Sequence, residues 1–228
     1  MLVMVSNQTA WKTHYLQGRY GGLGLLLPPN GLRGPYPHLP WALDNGAFPA
    51  WKNNAPWAED EFLHALDWAA ERTVPPRWVV VPDSVGQAQI TFDLWHSWHQ
   101  RIRERGFRCA FACQDGMTPE SLVANDVEAD VLFIGGTTDW KMGSIRMWTA
   151  SHPRVHVGRI NGLRGLMACH TAGAESTDGT GFFRGRRAQL KELVDYLKEY
   201  GRTEEHPLFL PLPANGQGSL FSDETEAS

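Results

Sequence analysis

The chain has 228 residues, of which 42% are hydrophobic and 20% charged, and its formal net charge is -4. That length suits one large domain or two small ones. The charge excludes a general polyanion binder, so any nucleic-acid contact has to use a local basic patch.

Residues 2–5 read as a buried first strand, residues 8–20 as one irregular helix, and residues 24–27 as a second apolar strand. Between 28 and 40 the five prolines 28, 29, 35, 37 and 40 leave no room for a good helix, so this segment is a loop. Trp41-Ala42-Leu43 is a strand ending in Asp44-Asn45-Gly46-Ala47-Phe48. Pro56 and the acids Glu59, Asp60 and Glu61 open a helix, with Phe62, Leu66 and Ala69 as its apolar stripe. Residues 78–81 form the clearest buried strand, and Pro82-Asp83 follows it.

Residues 87–104 form a long amphipathic helix that Gly106 ends. Residues 108–112 are a strand leading to Cys113-Gln114. Thr118 and Pro119 start a short helix as N-cap and first residue. Residues 131–134 are a strand leading to Gly135-Gly136, with a helix over 145–151. Residues 154–157 are a strand leading to Gly158-Arg159-Ile160-Asn161. A helix over 163–171 and a strand over 174–177 lead to Asp178-Gly179-Thr180-Gly181, where glycines permit close approach or a positive φ. The last helix covers 185–200, and the polar, Pro/Gly-rich segment 202–228 is expected to be a flexible tail.

About eight strands alternating with helices predict an α/β fold, a (β/α)8 TIM-like barrel over residues 1–201. Its N-terminal part is irregular, because no helix separates the second and third strands. An open doubly wound sheet is the alternative, but Gly21-Gly22-Leu23-Gly24 leads into a proline loop and not a helix, so it is no dinucleotide site.

In a barrel the strand C-termini share one face. Asp44, Asp83, Gln114, Gly135-Gly136, Arg159, Asn161 and Asp178 would therefore meet there. The competing reading is that strand-to-helix loops favour Asp and Gly for turn geometry alone. Converging carboxylates without a metal motif suit chemistry at an anomeric carbon: one serves as nucleophile, and another moves the proton.

Asp44-Asn45-Gly46-Ala47-Phe48 resembles the Asp-Ser-Gly-Gly-Phe motif of tRNA-guanine transglycosylases. Asp83, Gln114 and Gly135-Gly136 follow in the order of that family's base-recognition residues, and the 155–182 run is similar to its closing strand–helix–strand unit. The chain is short and lacks the zinc-binding cysteines of the tRNA enzymes. It therefore looks more like the DNA 7-deazaguanine (preQ0) transglycosylases of phages and bacterial islands. The resemblance spans about residues 41–184, and Asn45 and Ala47 depart from the motif.

It implies a transferase that exchanges guanine for a 7-deazaguanine in DNA, with no cofactor and no metal. Asp178 would be the nucleophile and Asp44 the general acid/base. Asp83, Gln114, Gly135, Gly136 and Phe48 would bind the base, and Arg159, Arg184, Arg186 and Arg187 the phosphates. The implied partners are DNA, single-stranded or with a flipped base, and a 7-deazaguanine. A tRNA-acting enzyme and a nucleoside or glycoside hydrolase on the same barrel are the alternatives.

Other features point elsewhere. His96/His99 and His152/His156 are spaced as metal pairs but lack an accompanying acid. Arg101, Arg103, Arg105 and Arg108 form either a basic patch or a solvated helix face. Cys109, Cys113 and Cys169 contain no CxxC pair, which favours a reduced, cytoplasmic chain, and Cys169-His170 is a nucleophile pair only if the fold makes it one. No basic-plus-apolar leader opens the chain, and no apolar run reaches the ~20 residues of a membrane span. Gln217-Gly218-Ser219-Leu220-Phe221 is similar to the peptide that binds the bacterial sliding clamp.

Overall fold

Eight parallel strands close into a barrel in sequence order. The structure is a computed structural model that describes residues 1–6, 11–34, 36–185 and 187–201. The expected tail and its clamp-like peptide therefore lie outside the described residues, as does Arg186. The strands are β1 (Leu2–Ser6), β2 (Leu23–Leu27), β3 (Trp41–Leu43), β4 (Val79–Val80), β5 (Cys109–Cys113), β6 (Val131–Ile134), β7 (Val155–Val157) and β8 (Ser176–Asp178). β1 closes the ring on β8 with Val3 opposite Thr177 and Met4 opposite Asp178.

Helices α1 (Trp11–Tyr20), α2 (Ala47–Lys52), α3 (Glu59–Ala70), α4 (Ala88–Arg103), α5 (Pro119–Ala124), α6 (Thr138–Ser151), α7 (Leu163–Thr171), α8 (Gly181–Arg184) and α9 (Arg187–Tyr200) connect the strands or follow the last one. Among the described residues between β2 and β3 there is only a 3-10 turn, Pro29–Gly31, in keeping with the proline content. α5 starts with a reciprocal cap: Ser121 N donates to the Thr118 hydroxyl, and Thr118 N donates to the Ser121 hydroxyl.

Strand alternation builds two apolar layers. Val3, Val5, Leu23, Leu25, Leu43, Val79, Phe111, Ile134 and Val157 face outward and pack against the helices with Phe62, Leu66, Trp95, Trp98 and Trp148. Met4, Leu26, Ala42, Val80, Ala110, Ala112 and Val131 face inward with Trp78. Small alanines on the inner face leave room for the Trp78 indole, which is fully buried. Burying each large side chain contributes about 2 kcal/mol. The inner surface turns polar on one side only, where β7 and β8 present His156, Ser176 and Asp178.

Three local differences from the sequence reading have physical causes. α2 has no counterpart among the predicted elements, which pass from the 41–43 strand and its end to the helix opened by Pro56, and it accommodates Pro49. That proline lies in the first turn, where the missing N–H has no intrahelical partner to lose. α6 begins seven residues before the predicted helix, in a segment, 138–144, that mixes Trp140 and Met142 with polar residues and Gly143. Gly179 and Gly181 are not at positive φ. Their requirement is space: a Cβ on Gly179 would run into the Ile160 carbonyl, and one on Gly181 into the Asn161 side chain.

Candidate functional site

The strand C-termini surround a cleft of about 410 Å³. Asp44, Asp83, Gln114, Gly135, Gly136, Phe48, Arg159, Asn161, Arg184 and Asp178 all line it, so ten of the residues singled out from the sequence meet at one place. Arg187 does not line the cleft; it stands exposed at the start of α9.

The three carboxylates have different surroundings. Asp44 follows β3 and takes a bond from the Asn45 backbone N–H at 2.9 Å. Burial, reinforced by the negative charges of Asp178 and Asp83, pushes its pKa up to about 7 against the lowering effect of the Asn45 and Gly46 N–H groups. Asp83 is also raised by burial, but two amides oppose the shift. Asn45 Nδ2 donates to Oδ1 and Gln114 Nε2 to Oδ2, each at 2.7 Å.

Asp178 ends β8, and both of its donors go to one oxygen. The Arg159 N–H lies 3.0 Å and His156 Nε2 3.1 Å from Oδ1. No hydrogen bond reaches Oδ2 from the described residues. Arg159 adopts φ 58, a left-handed conformation that a non-glycine residue takes at a cost, and this places its N–H on Asp178.

Asn45, where the motif departs from the family pattern, organises this face. Its Nδ2 also donates to the Val81 carbonyl at 2.9 Å, its Oδ1 accepts from Ala47 N at 2.8 Å, and its carbonyl accepts from Trp57 Nε1 at 2.7 Å. Trp57 in turn packs on Phe62 and Trp98. One buried amide thus ties the Asp44 loop to Asp83 and to the α3–α4 packing. The motif comparison marked Asn45 only as a mismatch, because its partners are far away in sequence.

The Gln114 amide is fixed from both sides. Its Oε1 accepts from Gly86 N at 3.0 Å while Nε2 faces Asp83, which leaves one N–H for a ligand. The expected pair of backbone donors is reduced to one. The Gly135 N–H is already bonded to the Cys113 carbonyl at 3.1 Å, and Gly136 N–H is the one without a partner among the described residues. The Arg159 side chain crosses the mouth. Its guanidinium donates to the Gly136 carbonyl and lies 4.4 Å from the Phe48 ring centroid. Trp51, 55% exposed, flanks Phe48 at 5.7 Å just outside the cleft lining.

The remaining candidates have other partners. His96 bonds to the Asn125 carbonyl, His99 to the Trp95 carbonyl, and His152 to the carbonyls of Arg154 and Ala129. His156 contacts Asp178 and Ser176, not His152. Cys169 is buried and its thiol is pushed up to about 12 by desolvation, while His170 bonds to Tyr196, so the two make no nucleophile pair. Arg101, Arg103 and Arg105 pair with Glu59, Asp130 and Asp67, which is the pattern of a solvated helix face. Among the described residues no helix is long and apolar enough to cross a membrane.

The cleft presents amide and carboxylate edges beside one carboxylate oxygen without a hydrogen bond from the described residues and one carboxyl raised to about 7. Compared with known proteins, the chain matches no family model and no curated sequence.

Proposed function

We propose that the protein is a base-exchange enzyme, a transglycosylase that replaces guanine in DNA with a 7-deazaguanine through a covalent Asp178 intermediate. The observation that carries this reading is the division of labour among the three carboxylates. Asp178 keeps one oxygen bare, Asp44 is raised to about 7, and Asp83 is held by two amides. Carboxylates whose surroundings separate their protonation behaviour suit distinct nucleophile and acid/base roles.

Asp178 Oδ2 bonds to C1′ as the C1′–N9 bond breaks, and the electron pair leaves with guanine. Protonated Asp44 supplies the proton that guanine needs to depart. In the second step, ionised Asp44 takes the N9 proton of the incoming 7-deazaguanine. N9 attacks C1′, and the Asp178 carboxylate is released. Protons and electrons balance over the cycle.

Asp83 would accept from the guanine N1–H and amino group through its remaining lone pairs, with the spare Gln114 N–H and Gly136 N–H directed to the acceptor side. Arg184, exposed beside Asp178 in the lining, is suited to the strand's phosphate, and Phe48 with Trp51 to a stacked base.

The test incubates the protein with guanine-containing DNA or tRNA and a 7-deazaguanine such as preQ0, and reads nucleosides by mass spectrometry. Deazaguanosine in DNA that disappears with Asp178→Ala supports the reading. Incorporation into tRNA alone overturns the substrate, and free guanine without incorporation overturns exchange in favour of hydrolysis.

A further inference from the structure

His156 is the buried histidine beside Asp178. It sits in the middle of β7, fully buried, with its side chain inside the barrel. Its ladder neighbours are Phe133 on β6 and Ser176 on β8. The ring stacks on Phe133 with centroids 4.7 Å apart and planes at 27°. It meets Trp78 edge-on at 4.9 Å and 64°. These two contacts fix the plane of the imidazole.

The hydrogen bonds then fix which nitrogen holds the proton. Nε2 lies 3.1 Å from Asp178 Oδ1, and an ionised carboxylate only accepts, so Nε2 carries N–H. Nδ1 lies 2.8 Å from the Ser176 hydroxyl, which can donate to it when the ring is neutral. The carboxylate, an acceptor only, thus selects the tautomer, and the Ser176 hydroxyl, able to donate or accept, fits it. The charged groups around this unit are Asp44 and, from α6 and the β7 loop, Lys141 and Arg159. Lys141 is 1% exposed and donates to the Gly158 carbonyl, one residue before the Arg159 N–H that shares Oδ1 with His156.

We infer that His156 is a positioning residue for base exchange: as the Nε2–H tautomer, with Ser176 bonded at Nδ1, it anchors Asp178 Oδ1 so that Oδ2 faces C1′. The inference rests on Asp178 acting as the nucleophile. His156 lies behind the carboxylate between two aromatic rings, so it touches no substrate and acts through Asp178 alone.

Three variants separate this role from packing. His156→Leu removes the donor, His156→Gln places an amide N–H near the position of Nε2, and Ser176→Ala removes only the hydrogen bond at Nδ1. With kcat and KM measured separately, His156→Leu lowers kcat about 10²-fold, while KM for DNA and for the 7-deazaguanine stays within about threefold. His156→Gln recovers at least about tenfold of that loss, and Ser176→Ala loses about three- to tenfold.

Nitrogen NMR of histidine-labelled wild-type protein gives a readout that does not depend on turnover. It should show His156 protonated at Nε2 and bare at Nδ1, with the Nε2 signal shifting in Asp178→Asn. A wild-type protein that exchanges no base fails the nucleophile reading and takes this inference with it. An active wild type with a protonated Nδ1 and bare Nε2, or with an unchanged kcat in His156→Leu, overturns the role of His156 alone.

Discussion

Both ends of the barrel carry acidic side chains at strand termini, and they treat them in opposite ways. At the N-terminal end Glu175 precedes β8 and is shared by two arginines. Arg77 reaches it at 2.6 Å, and Arg154 makes two bonds at 2.8 and 3.2 Å. Burial alone would raise the Glu175 pKa, but these guanidinium bonds outweigh it and bring the carboxyl below its usual value. At the C-terminal end Asp44 has no such cation, and burial with two neighbouring carboxylates pushes it up to about 7. One end pairs its acid with arginines for stability, and the other leaves Asp44 without an ion pair among the described residues. The cost is borne where chemistry would use it.

The signs follow. Glu175, depressed in the native state, contributes stability above its ordinary value of 4.5, and this is lost as the pH falls through its native pKa. Asp44 does the reverse. The native state favours its protonated form, so its contribution is complete below about 4 and is lost as the pH rises through about 7.

The sharpest way to break this comparison is Asp44→Asn. In the proposed exchange it lowers activity by about 10²- to 10³-fold. Wild-type kcat/KM for DNA falls as the pH rises through about 7, because the departing guanine needs the Asp44 proton, and the variant's residual rate lacks that limb. At pH 8 the same variant is more stable than wild type by about 2 kcal/mol in urea unfolding, since it no longer buries a charge. A variant that loses stability at pH 8 would contradict the picture of an uncompensated acid.

Asn45→Ala comes next. It strips a donor from Asp83 and a partner from Val81 and Ala47, at a cost of about 2 kcal/mol. In the exchange assay KM for the incoming base should rise more than kcat falls. Glu175→Gln is expected to have the smallest effect. It lowers stability by about 1 kcal/mol at pH 7, less at pH 4, and leaves exchange unchanged. An equal loss of activity would mean that the two ends are not independent.

Much of this was readable in order along the chain. The barrel followed from short apolar strands alternating with helices, and the cleft from the residue after each strand, because topology alone brings strand C-termini together. α2 and the start of α6 were not readable, since a 6-residue helix that contains Pro49 and a segment that mixes Trp140 and Met142 with polar residues carry no clear helical stripe. The roles of Asn45 and His156 were hidden for a different reason. A buried polar residue is defined by its partners, and Asp83 and Asp178 are 38 and 22 residues away in sequence. No spacing rule links such pairs. Inward-facing polarity on β7 and β8 was the available signal: a His and a Ser in neighbouring strands, just below an Asp.

The most direct test of the central claim is the intact mass of the wild-type protein after incubation with a guanine-containing DNA oligonucleotide and no incoming base, quenched in acid. The account predicts a species at the mass of protein plus the strand lacking one guanine, with the adduct mapping by digestion to the peptide that contains Asp178. Released guanine with no adduct, or an adduct on any other residue, would contradict it.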